Sequence, residues 1–69
     1  MIEVFKTDIS LKEDAERVVQ YLQLHLQPHR ATIDLHDCDK ILRIDAESVL
    51  IPVVQEMVSS MGFFCEVLE

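Results

Sequence analysis

Glycine is nearly missing from this chain of 69 residues: Gly62 stands alone, so there is no glycine-rich loop to cradle a phosphate. Neither a nucleophile elbow nor an HExxH helix occurs, and no histidine stands beside an evident nucleophile and acid. A chain this short also lacks room for a pocket of the usual few hundred cubic ångströms without giving up core. No catalytic residue and no cofactor is therefore expected. Cysteine is almost as scarce: Cys38 and Cys65 share no Cys-x-x-Cys spacing and are too few for the disulfide framework of a small secreted domain. Reduced thiols follow. Basic residues are outnumbered, six Lys and Arg against thirteen Asp and Glu, for a net charge of −7. Phosphate backbones and anionic bilayers repel such a chain, so neither nucleic acid nor membrane is an expected partner. No apolar run nears the roughly 20 residues that span a bilayer. The start, Met1-Ile-Glu-Val-Phe-Lys, has no basic stretch or long apolar core of a signal peptide. A cytoplasmic location is the default expectation.

What the chain does have is apolar residues, 49% of the total, enough for one well-filled domain over residues 1–69. The pattern is organised around the stretch from Ala31 to Asp45. Ile33 and Leu35 alternate with Thr32, Asp34 and His36; Leu42 and Ile44 alternate with Ile41, Arg43 and Asp45; Asp37-Cys38-Asp39-Lys40 lies between. Period-two alternation on both sides of a turn signal predicts a half-buried hairpin. Before it, Leu11, Ala15, Val18 and Leu22 recur at helical spacing, with Ser10 as N-cap, Glu13 completing a capping box, and Pro28 ending the helix. After it, Pro52 opens a second helix with a stripe of Leu50, Val54, Met57 and Met61, and Gly62 suits a left-handed C-cap. Outer strands are predicted over Ile2 to Lys6 and Phe63 to Leu68.

Strand, helix, strand, strand, helix, strand with right-handed crossovers places the first and third strands centrally and the second and fourth at the edges. This is a ferredoxin-like βαββαβ sandwich of the α+β class, a four-stranded antiparallel sheet with two helices on one face. With that order and size, and with the closing Gly62-Phe63-Phe64-Cys65-Glu66-Val67, the chain resembles the heavy-metal-associated domains of copper chaperones, whose ending reads Gly-Tyr-x-Ala-x-Val. That family binds soft ions through a Met-x-Cys-x-x-Cys motif on the loop entering the first helix, where paired thiolates suit monovalent copper. With the helix register set on Ala15-Glu16, the matching segment is Lys6 to Leu11, and the two cysteine positions read Asp8 and Leu11. The resemblance thus implies the fold and no family metal ligand.

Other donors remain to be weighed. His36 and Cys38 stand in an acidic run, and His25 and His29 are four apart, but neighbouring strand residues point to opposite faces and Pro28 interrupts the helix between the histidines. A solvated loop is the better reading of both groups. Cys65 falls on the inward face of the last strand as a small core residue, and the acidic neighbours of Cys38 argue against high reactivity. The two thiols, expected on opposite edges, are too far apart for a disulfide.

The sheet face away from the helices carries the most functional content. Alternation puts Ile2 and Val4 inward and Met1 and Phe5 outward, joined outside by Ile41 and Arg43 and by Phe64 and Leu68, with Thr32, Asp34 and His36 at the far edge. Five apolar residues in one region are enough to associate. The expected function is a protein-interaction or self-association module, with a protein partner that includes a second copy of the chain. The alternative is metal handling through Cys38, the histidines or a site shared between subunits.

Overall fold

In a computed structural model, which describes residues 1–68, the predicted order is realised as β1 (Ile2–Thr7), α1 (Lys12–Leu26), β2 (Arg30–Asp34), β3 (Ile41–Asp45), α2 (Ile51–Ser60) and β4 (Cys65–Val67). All pairings are antiparallel and the strand order is β2-β3-β1-β4. The fold class expected from the sequence is the one observed.

One row of the covered face shows how the sheet is held. Ile33 stands opposite Leu42, Leu42 opposite Phe5, and Phe5 opposite Val67, so four apolar side chains cross the whole sheet beneath the helices. Helix α1 lowers Ala15, Val18 and Leu22 onto this layer, and α2 lowers Val54 and Val58. Phe5, Val18, Leu22, Leu42 and Val58 lose all contact with solvent. Burying a side chain of that size contributes about 1.5–3 kcal/mol.

Here the first strand departs from expectation. Phe5 and Thr7 are buried and Glu3 shares their side, whereas Ile2 and Val4 face away from the helices. Met1 belongs to the Phe5 side as well: its Sδ accepts the Val49 N–H at 3.3 Å, and its ammonium donates to the Ala46 carbonyl at 2.8 Å. Local alternation could not choose between Ile2 with Val4 and Met1 with Phe5, since both sets are apolar. The choice is made by the neighbours, because only the larger Phe5 fills the middle of the row between Leu42 and Val67.

The helix ends also differ in detail. Helix α1 is capped at Leu11, not Ser10, and no side chain closes the cap, so the capping box does not form. The Ala15 N–H donates to the Leu11 carbonyl at 3.0 Å, which fixes the first turn one residue later than predicted. At its far end Gln27 adopts φ 49° and ψ 52° just before Pro28. Helix α2 begins after Leu50, which is exposed instead of part of the stripe, and Pro52 sits in the first turn as predicted. Gly62 takes φ +95°; its N–H donates to Ser59 and that of Phe63 to Val58. These two bonds are a Schellman cap, the role expected of the one glycine.

Candidate functional site

Three loops meet at one end of the sheet, around the C-terminus of β1. Thr7, nearly buried, is their tie: its Oγ1 donates to the Lys40 carbonyl at 2.6 Å and accepts the Ile9 N–H at 3.2 Å, while its own N–H donates to the Asp39 carbonyl at 3.0 Å. Ile9 is fully buried and pins the loop before α1 to the core. Neither residue stood out in the sequence. An apolar residue isolated among Asp8, Ser10 and Thr7 has no periodicity to flag it, so its burial was invisible until the loop was folded.

On this loop Asp8 is exposed and its Oδ1 accepts the Phe64 N–H at 2.8 Å, closing the loop onto the start of β4. Leu11 lies 54% exposed. The segment from Lys6 to Leu11 therefore offers one carboxylate, with one oxygen already engaged, and an aliphatic side chain. A hard oxygen donor and no thiolate are a poor match for monovalent copper.

The β2–β3 connection brings together more than expected. Strand β2 stops at Asp34, so the residues from Leu35 to Asp39 form turns instead of continuing the strand. As a result one ligand atom each from Asp37, Cys38 and Asp39 lie within 4.8 Å of one another, although the sequence argued that such neighbours would diverge. The period-two rule failed here because it applies to strands only. His36 is outside this group and off the sheet edge; its N–H donates to Asp34 Oδ1 at 3.0 Å. The carboxylates are partly committed: Asp37 Oδ1 accepts the Asp39 N–H at 2.8 Å and Asp39 Oδ1 lies 3.6 Å from Lys6 Nζ. The histidine pair does not form a helical ligand set. His25 packs edge-on against Tyr21 with ring centroids 4.6 Å apart, and the left-handed Gln27 breaks the helix before His29.

The two thiols are free and differ in setting. Cys38 is exposed in the turn. Cys65 is half-buried on β4 opposite Thr7, and burial pushes its thiol up to about 11. A thiol held protonated at neutral pH is not a nucleophile.

On the open face the rows read differently from the covered one. Thr32, Arg43, Val4 and Leu68 form one, the Leu68 N–H donating to the Val4 carbonyl at 2.8 Å; further along, Asp34 stands opposite Ile41 and Lys6 opposite Glu66. Arg43, Ile41, Phe64 and Leu68 thus lie on the uncovered side as the sequence predicted, and Ile2 with Val4 take the places assigned to Met1 and Phe5. Ile2, Phe64 and Leu68 are 47%, 48% and 38% exposed. A cleft of about 690 Å³ runs between α1 and β2, floored by Ala15, Val19, Ile33 and Leu35. Its size exceeds what the sequence suggested, because it is a surface groove along the sheet edge and displaces no core. No described helix is long and apolar enough to cross a membrane.

These features define a ferredoxin-like domain of the heavy-metal-associated shape. Among solved structures, the chain is similar to the yeast copper transporter domain Ccc2a, determined in solution in apo and Cu(I)-loaded states. The TM-score is 0.85 at 14% identity, over 99% of this chain and 94% of that one. At that identity the likeness is one of fold. No family model and no curated protein matches the chain.

Proposed function

We propose that this chain works by protein contact, with a second copy of itself as the first partner, on a copper-domain fold whose loop before α1 carries no thiolate centre. One observation carries the reading: the helices cover a single face of the sheet. The other face leaves Ile2, Val4, Ile41, Phe64 and Leu68 at least partly against solvent, and among the described residues no strand lies beside the outer edge of β2. Apolar groups grouped on an uncovered sheet gain free energy only when something covers them.

A second reading is metal handling through the hairpin turn. It is favoured by the convergence of Asp37, Cys38 and Asp39 and by the likeness to a copper-binding domain. The mixed donor set, one sulfur with two carboxylates, fits zinc better than monovalent copper.

Sedimentation equilibrium across a range of concentrations, paired with separate Zn(II) and Cu(I) titrations under reducing conditions, separates the two. The contact reading expects a concentration-dependent dimer and no tight stoichiometric site for either ion. A chain that stays monomeric while binding one equivalent of metal, lost in Cys38→Ser, would overturn it in favour of the second.

A further inference from the structure

We infer that the second copy joins along β2, edge to edge and antiparallel, with the two-fold axis at Thr32, so that two sheets become one of eight strands. This rests on the contact reading above and names its seam.

The two sheet edges are not alike. Strand β4 has three residues, while β2 has five, Arg30-Ala31-Thr32-Ile33-Asp34, with no proline, glycine or bulge to blunt it. A strand at an edge presents alternate N–H and C=O groups without partners, a template for another strand. Charge then selects the partner and the register. Arg30, Thr32 and Asp34 lie on the open face, Ala31 and Ile33 on the covered one. In an antiparallel pair centred on Thr32, Arg30 faces the other copy's residue 34 and Asp34 its residue 30, which makes two opposite-charge pairs. Ala31 faces the other copy's residue 33 on the helix side, beside the cleft floored by Val19 and Leu35. Side chains must stay on matching faces, so the register slips only in steps that keep this parity. Centring on Arg30 or on Asp34 sets like charges against each other, and centring on Ala31 or Ile33 forms no Arg–Asp pair. The strand is complementary to itself in one register. An axis perpendicular to the sheet also keeps both open faces on the same side, so the joined chains present one platform of twice the width.

Charge reversal tests the seam. Arg30→Asp or Asp34→Arg alone turns both cross-strand pairs into like-charge pairs and should raise the dimer dissociation constant at least about tenfold. The double variant R30D/D34R restores both pairs with opposite polarity and should return to within about threefold of wild type. Circular dichroism at low concentration checks that each variant is folded. A second variant reads geometry directly: Thr32→Cys in a Cys38→Ser background should cross-link into a covalent dimer on mild oxidation, since directly opposed residues have Cα atoms about 4.5–5.5 Å apart. Arg43→Cys in the same background, one strand inward, should not. A dimer indifferent to all three charge variants, or one abolished by Phe64→Ser with Leu68→Ser, overturns the seam and leaves the contact reading standing. A wild-type chain that is monomeric throughout overturns both.

Discussion

The two faces of this sheet are built from alternate residues of the same strands, yet they obey different rules. Across the covered face the central row is Ile33, Leu42, Phe5 and Val67, apolar from edge to edge. Across the open face the kinds mix: Arg43 stands between Thr32 and Val4, and Ile41 stands opposite Asp34. The dry centre of the covered face tolerates no unpaired charge, so its central row is uniform, while Glu3 on the same side keeps part of its surface in solvent. A wet face tolerates both kinds, and an apolar residue there carries little information about which way its strand faces. Exposed apolar atoms are ordinary on soluble proteins. The open face is therefore where sequence misleads, and also where an association surface must be sought.

The largest test of that contrast is the exchange of faces in β1. Phe5→Ala should cost about 3–5 kcal/mol, because it empties a fully buried site in the middle of the apolar row. Ile2→Ala, three residues away on the open face, should stay within about 0.5 kcal/mol. Urea unfolding of the two variants measures the difference directly. Equal losses would mean that β1 is buried on both sides and that the faces are not distinct.

Much of the molecule was legible beforehand, and the reasons divide along the same line. The hairpin strands could be oriented from sequence because Leu42 and Ile44 alternate with Arg43 and Asp45, so polarity and face coincide. Strand β1 could not: Ile2 and Val4 oppose Met1 and Phe5, and Glu3 on the covered side argues in the wrong direction. Only the cross-strand partners Leu42 and Val67 decide it, and these are contacts between residues distant in the chain. The loop end followed the same logic. The absence of thiolates at Asp8 and Leu11 was plain from the sequence, whereas the Thr7 tie depends on β1 ending beside the β2–β3 turn, and the convergence of Asp37, Cys38 and Asp39 on β2 stopping at Asp34.

A smaller effect is expected at Gly62, which sets the parity of β4. The Schellman cap there sends Phe63 toward the core and Phe64 to the open side. At φ +95° a β-branched residue is strained, although none of the described residues comes within 4 Å of where its Cβ would stand. The cost of Gly62→Val is then backbone strain alone, about 1–2 kcal/mol. Gly62→Asn should recover part of it, since asparagine tolerates the left-handed region better. Thermal unfolding distinguishes the two. An unchanged midpoint in Gly62→Val would show that the helix ends by another route and that Phe64 owes its exposure to something else.

The smallest effect comes from the edge of the covered face, where dryness begins to fail. Cys65 lies on that face but on the outermost strand, with part of its surface still in water. Burial penalises the thiolate and pushes the thiol from 9.0 to about 11. Between those values the unfolded chain sheds its proton while the folded chain keeps it, so the unfolded state gains free energy of ionisation that the native state lacks. Stability from this group is complete below about pH 9 and falls as pH rises from 9 through about 11. Solvent contact screens the penalty, so the fall is smaller than a fully buried thiol would give. Other groups titrate in the same window, and the comparison must be made between variants. Urea midpoints at about pH 8 and about pH 10.5 should converge more in Cys65→Ala than in wild type. If Cys65→Ala kept the full slope, β4 would be as wet on its inner side as on its outer one, and the distinction between the two faces would stop at β1.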